Sequence, residues 1–128
     1  MTPHFAQLVD AADQAIATAH LELEANDVET AAEQACVAML RLANACLDLD
    51  GLAPGPTRAV CVAYGERFGR TGRLYSAYHR WLLDVVDLRK ASTRELTGPI
   101  DRAAAATAVE RAEIFRDAVF RFAERNGR

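Results

Sequence analysis

The chain has 128 residues, of which 51% are hydrophobic and 26% charged, and its net charge is −3. A chain of this length is expected to form one domain over residues 1–128, and it can bury a sizeable core without disulfides or a metal ion. No apolar run approaches the length that crosses a bilayer, and no basic segment followed by an apolar core opens the chain. We therefore expect a soluble, cytoplasmic protein without membrane contact.

Acidic and basic residues are unevenly distributed. Residues 1–53 carry nine acidic residues and one arginine, whereas residues 54–128 carry nine acidic and fourteen basic residues. A basic second half can attract phosphate groups or the acidic half of another copy, and it is equally compatible with a solvated surface.

Two long helices are predicted in the first 50 residues. Thr2 and Pro3 supply an N-cap and a proline in the first turn, and this helix should end near Ala25. Asn26 and Asp27 then begin a second helix. The predicted apolar faces consist of Phe5, Leu8, Val9, Ala12, Ile16, Ala19 and Leu23 in the first helix, and Ala32, Ala35, Val37, Met39, Leu40, Ala43, Cys46 and Leu47 in the second.

A glycine and proline cluster separates the second helix from a shorter third one. Gly51 ends the second helix, and Pro56 begins the third. Val60, Tyr64 and Phe68 are four residues apart and predict one buried line on this third helix, up to residue 69. A fourth helix is predicted from about residue 72 to residue 91, with Leu74, Tyr78, Leu82 and Val85 buried.

The last helix has the most regular pattern. Asp101 is its expected N-cap, and the apolar face consists of Ala105, Ala108, Ala112, Phe115, Val119 and Phe122. Helices joined by short turns predict an all-α protein, an antiparallel up-and-down bundle of four or five helices.

The sequence offers little cofactor chemistry. Cys36, Cys46 and Cys61 form no Cys-x-x-Cys pair, and we expect buried, reduced thiols. There is no metal-ligand motif, phosphate-binding glycine loop or nucleophile elbow, so no cofactor is predicted.

The order of these turns and helices resembles that in the small stand-alone HEPN proteins of bacteria and archaea. The likeness covers the Ala-x-x-Ala-Met-type segment at 34–40, the glycine and proline turn at 51–58 and the Phe and Thr-Gly turn at 68–74. It also covers the arginine that ends the fourth helix, Arg89, and the Ala-x-x-Phe segment at 112–115. The resemblance implies a HEPN-like bundle that forms homodimers and has a minimal nucleotidyltransferase as partner, as in a toxin–antitoxin pair.

Nuclease members of this superfamily cut RNA without a metal, using an arginine and a histidine a turn or so later across a dimer interface. This chain departs from that pattern, because no histidine follows Arg89 up to Ile100 and Arg58 stands where the turn usually has histidine. Cys36 and Val37 also stand where tyrosines are usual. Arginine can stabilise a charged phosphorane, whereas a base of neutral pKa is needed to activate the ribose hydroxyl.

The weak catalytic candidates are therefore Arg89 as a cation, with Arg58, Thr93 or His79 beside it. Arg73 and His79 satisfy the family's arginine-then-histidine spacing, but six positions on one regular helix leave their side chains roughly 120° apart. We expect His79 to be a surface histidine.

Three functions follow. The leading prediction is a non-catalytic or degenerate HEPN-like bundle that acts through protein contact. The alternatives are a divergent, metal-independent ribonuclease toxin and a bundle that binds a nucleotide or another small molecule. Arg67, Arg70 and Arg73 give RNA binding only weak support, because the protein as a whole is acidic.

Overall fold

The computed structural model describes residues 2–94 and 100–126, and for residues 91–94 it describes the backbone alone. The described chain is helical, without strands, and forms an all-α bundle as predicted. The helices are α1 (Pro3–Glu24), α2 (Val28–Leu49), α3 (Thr57–Tyr64), α4 (Ala77–Arg94) and α5 (Arg102–Asn126), and a π-helical turn (Gly65–Gly69) continues α3. No helix in the described part combines the length and the apolar content needed to cross a bilayer.

The ends of α1 and α2 follow the local sequence. The Thr2 hydroxyl accepts a hydrogen bond from the Phe5 amide at 3.0 Å, and the Asp27 carboxylate accepts one from the Thr30 amide at 3.3 Å. Asn26 (φ 62°) after α1 and Gly51 (φ 78°) after α2 are left-handed, and the amides that follow bond back to carbonyls of the last turn. Such turns end a helix and reverse the chain, which lays α2 back along α1.

α2 is the central helix of the bundle. It packs against α1, α3, α4 and α5, and the α1–α2 pair is the most extensive contact. Alanines on the facing surfaces let these backbones approach closely. Buried members of the α1–α2 contact and of the α5 face are Ala12, Ala19, Ala31, Ala32, Ala35, Ala105, Ala112, Phe115 and Val119. The predicted apolar faces are thus confirmed, with Val37, Leu40 and, on the fourth helix, Tyr78 only partly buried.

Two predicted elements differ from the structure. The line of Val60, Tyr64 and Phe68 is buried as expected, but the helix widens to a π turn after Tyr64. The fourth helix begins at Ala77 and not near residue 72, because Gly72 adopts φ 71° and residues 70–76 form a turn. Leu74 is buried from this turn.

The three cysteines are free and buried, as predicted. Burial raises the pKa of the Cys46 thiol strongly, because a thiolate would lose its hydration there. All three therefore act as small apolar side chains of the core.

Candidate functional site

Arg89 lies in a polar pocket of about 310 Å³ between α2, the start of α3 and α4. The side chain is half-buried near the end of α4. This surface is called the arginine pocket below, and it is lined by Val37, Leu40, Arg41, Asn44, Gly55, Pro56, Thr57, Val60 and Arg89. The residues before Thr57 belong to the glycine and proline turn, which brings the start of α3 against α2.

The Cys36 thiol lies near the Arg89 side chain and is fully buried. Burial raises the pKa of this thiol, and the nearby Arg89 acts in the opposite direction.

Asn44 is the most unusual residue in the pocket. It is the only buried polar residue in the described core, with 8% of its surface exposed, and its Oδ1 has no hydrogen-bond partner. A buried polar atom without a partner costs about 1–3 kcal/mol. Because Oδ1 is an acceptor at the edge of a cavity, a ligand completes its hydrogen bonding only through a donor such as a hydroxyl group.

Arg41 and the first turn of α3 add positive potential. Neither Arg41 nor Arg89 forms an ion pair with a carboxylate in residues 2–94 and 100–126. Pro56 caps α3 without any side-chain hydrogen bond, which leaves the first amides of the helix open. A helix N-terminus carries a partial positive charge, and two guanidinium groups beside it favour an anion.

Among the described residues, the lining of the arginine pocket holds no histidine, carboxylate, lysine or thiol. Its groups can bind and polarise a phosphate or carboxylate, but none of them exchanges a proton near neutral pH. The pocket therefore has the chemistry of a binding site for an anion.

The other predicted site residues do not join Arg89. Arg58 is exposed on the first turn of α3 and does not line the pocket. The Thr93 side chain lies outside the described residues. His79 lines a different, shallow cavity on the far side of α3 with Gly65, Gly69 and Arg70.

His79 is half-buried, so it is less exposed than the surface histidine that the sequence predicts. Nε2 of His79 lies 3.1 Å from the Cys61 carbonyl oxygen, and the ring packs against the π turn. A Cβ placed on Gly65 would come within 2.5 Å of the ring, and one on Gly69 within 3.1 Å of the His79 Cβ. The two glycines therefore provide the space in which the imidazole sits.

The clustered arginines are engaged within the fold. Arg73 lies in the turn before α4, not on that helix, and binds Asp50 through both terminal nitrogens at 2.9 and 3.0 Å. Arg67 binds the same carboxylate at 3.2 Å. The guanidinium of Arg73 also stacks on Phe68, 4.1 Å from the ring centre. Two of the three arginines predicted to contact phosphate are thus paired with one aspartate within the fold.

A further cavity of about 340 Å³ lies between α4 and α5. Its lining is mostly apolar, with Trp81 and Leu88 on α4, and its charged groups Asp84 and Arg111 pair with each other at 3.4 Å. Among the described residues, no group of three or more histidine, cysteine or carboxylate side chains is arranged to hold a metal ion.

Sequence reasoning located Arg89 and missed Arg41 and Asn44. Arg41 did carry a signal, since it is the only lysine or arginine among residues 1–53. Asn44 also carried a signal in the sequence, because it is a polar residue within an otherwise apolar stretch of α2.

In comparisons with known proteins, no family model and no curated protein matches this chain. The resemblance to HEPN proteins therefore stays a prediction that rests on the order and spacing of its segments.

Proposed function

We propose that this chain is a HEPN-like bundle that has lost nuclease chemistry and binds a phosphate-bearing ligand in the arginine pocket. One observation carries the proposal: Arg89 shares the pocket with Arg41, a second arginine without a carboxylate partner, and no residue of the described lining can act as a base. The same arrangement supports the small-molecule alternative over the ribonuclease, because cleavage of RNA needs proton transfer as well as charge stabilisation.

Phosphate is the anion that best fits the donors present. Two guanidinium groups, the open amides of α3 and the Asn44 amide offer several donors that converge from different sides. A phosphate has enough acceptor oxygens to use all of them, whereas a carboxylate has two.

Titration calorimetry and thermal unfolding with inorganic phosphate test this function. Saturation at 100 times the dissociation constant should stabilise the protein by about 2.7 kcal/mol. Arg89→Ala should weaken phosphate binding at least ten-fold, whereas Arg121→Ala should not, because this exposed arginine of α5 does not line the pocket. If both variants lose the same affinity for phosphate, the loss is caused by the change in net charge and not by the pocket. If the wild-type protein does not bind phosphate, the proposal is wrong.

Incubation with RNA in the presence of a chelator tests the loss of nuclease chemistry. We expect no cleavage by the purified protein. Metal-independent cleavage that disappears in Arg89→Ala would overturn this part of the proposal and restore the ribonuclease alternative.

The charge distribution favours a second candidate function, contact with another copy of this chain. The acidic residues 1–53 and the more basic residues 54–128 are complementary between copies. Light scattering should then give a dimer at low salt that dissociates as the salt concentration rises, because exposed charges are screened. A monomer at low salt and tens of micromolar protein would contradict the homodimer. A minimal nucleotidyltransferase as partner stays a prediction from the resemblance.

A further inference from the structure

The cavity between α4 and α5 exists because small side chains stand where these helices face each other. Both helices pack on α2, and they contact each other much less than either contacts α2. Ala103, Ala104 and Ala108 line the α5 side, and the almost fully buried Met39 of α2 lies at the base. These short side chains leave about 340 Å³ between the helices. This space is called the tryptophan cavity below, after Trp81 on its α4 side.

The lining of the tryptophan cavity selects an apolar ligand over most of its length. Trp81, Val85 and Leu88 of α4 face the alanines of α5, and Asp84, Thr107 and Arg111 supply the polar groups of the described lining. An apolar cavity of about 150 Å³ already takes up a benzene molecule. The tryptophan cavity therefore has room for an apolar body larger than one ring.

One end of the tryptophan cavity carries an excess of positive charge. The Asp84 carboxylate lies 3.4 Å from Nη1 of Arg111 and 3.8 Å from Nη1 of Arg80, so two guanidinium groups share one carboxylate. In the described part of the chain, the hydrogen bond of Arg111 uses Nη1 alone, and its guanidinium lies 5.2 Å from the centre of the Trp81 ring. The remaining N–H groups of Arg111 can bind a second carboxylate, because a guanidinium presents five donors in a planar fork.

Helix geometry sets the length of the apolar body. Ala104 lies seven residues before Arg111 on α5, which is two turns and about 10 Å along the axis. A zigzag chain of eight carbons, with bonds of about 1.5 Å, is about 9 Å long. Such a chain reaches the alanine end of the tryptophan cavity when its carboxylate is at Arg111.

We infer that the tryptophan cavity binds a small amphipathic carboxylate. Its apolar body of about eight carbons lies between α4 and α5 above Met39, and its carboxylate binds Arg111. A single negative charge matches the single excess positive charge of the Arg80, Asp84 and Arg111 group. This site goes beyond the proposed function, since the described linings of the tryptophan cavity and of the arginine pocket share no residue.

The fluorescence of Trp81 provides the assay, because it is the only tryptophan of the chain and lines the cavity. The probes are octanoate, 1-octanol, octylamine and acetate. Octanoate should change the emission saturably and bind at least ten-fold more tightly than acetate, which lacks the apolar body, and octylamine, which has the opposite charge. 1-Octanol should bind more weakly than octanoate. If octanoate gives no saturable change, or if octylamine binds as tightly, the inference is wrong.

Two pairs of variants locate the bound octanoate. Ala104→Leu fills the cavity and should weaken octanoate binding at least ten-fold, whereas Ala106→Leu should not, because this exposed alanine of α5 does not line the cavity. Arg111→Gln should reduce the preference for octanoate over 1-octanol to within two-fold. Arg121→Gln is its matched control, because this exposed arginine of α5 lies outside the lining and removes the same charge.

The remaining outcomes overturn the inference. If Ala104→Leu weakens octanoate binding no more than Ala106→Leu does, the chain does not bind octanoate between α4 and α5. If binding is lost in Arg89→Ala and kept in Ala104→Leu, octanoate occupies the arginine pocket instead. Circular dichroism of each variant excludes loss of folding as the cause. The Arg111→Gln pair keeps the test decisive even if Ala104→Leu does not fold.

Discussion

Replacing Asn44 by leucine should stabilise the free protein and weaken the binding of phosphate. The Asn44 Oδ1 is buried without a partner, which costs about 1–3 kcal/mol, and leucine removes that cost. Because the side chain borders the arginine pocket, the added methyl groups have space there. We expect a net gain of about 1 kcal/mol, which corresponds to a rise in Tm of about 3–5 °C for a domain of this size.

Thermal unfolding in phosphate-free buffer, followed by circular dichroism, measures this gain, and calorimetry measures phosphate affinity in the same samples. Asn44→Ala is the companion variant, because it removes the amide without filling the pocket. It should also weaken phosphate binding, but it should not gain stability from new apolar contacts. The reasoning is refuted if Asn44→Leu lowers Tm or if both variants bind phosphate as wild type does. The first result would mean that the amide is paired in the folded protein, and the second that Asn44 contributes nothing to binding.

Three predictions concern the fold away from the arginine pocket. Gly65→Ala should destabilise the protein by about 1–3 kcal/mol, because its Cβ would lie 2.5 Å from the His79 ring. In urea unfolding, this loss of stability should disappear when Gly65→Ala is combined with His79→Ala. An equal loss with and without His79→Ala would contradict the clash. Asp50→Asn should cost about 1–2 kcal/mol at pH 7, because the hydrogen bond from Arg73, with burial opposing it, lowers the pKa of this carboxyl. This contribution of the Asp50 carboxylate to stability is present above the pKa of the unfolded state, about 3.9, and is lost as the pH falls through the pKa of the folded state. Equal stability of wild type and Asp50→Asn at pH 7 would contradict the prediction. Tyr64→Phe should leave stability unchanged or raise it by up to about 1 kcal/mol in the same unfolding assay, because the buried hydroxyl has no partner; a loss above 1 kcal/mol would reveal one.

The helices were predictable because their signals are local. Thr2, Asp27 and Gly51 mark helix ends by side-chain capping or by a left-handed backbone, and both effects act within a few residues. The late start of α4 was missed although Gly72 was visible. A glycine at the beginning of an apolar pattern does not reveal whether the helix starts there or whether the chain first turns back to bury Leu74.

The π turn could not be predicted, because its cause lies outside its own segment. Gly65 and Gly69 resemble ordinary punctuation in the sequence. In the structure they make room for the imidazole of His79, which comes from the next helix and reaches the carbonyl of Cys61. A π turn widens the helix locally, and this contact between two helices is compatible with that local geometry.

The arginine pocket shows the same division between local and long-range signals. Arg89 was singled out through the resemblance to HEPN proteins, which have an arginine at the end of the fourth helix, but Arg41 and Asn44 belong to another helix and share no motif with it. What brings them together is the turn before α3, which places Thr57 against α2. The isolated arginine in an acidic segment and the asparagine in an apolar one were local inconsistencies of the sequence, and such positions commonly mark function. Both inconsistencies line the arginine pocket, so the residues that disagree with their surroundings in the sequence are the ones on which the proposed ligand binding depends.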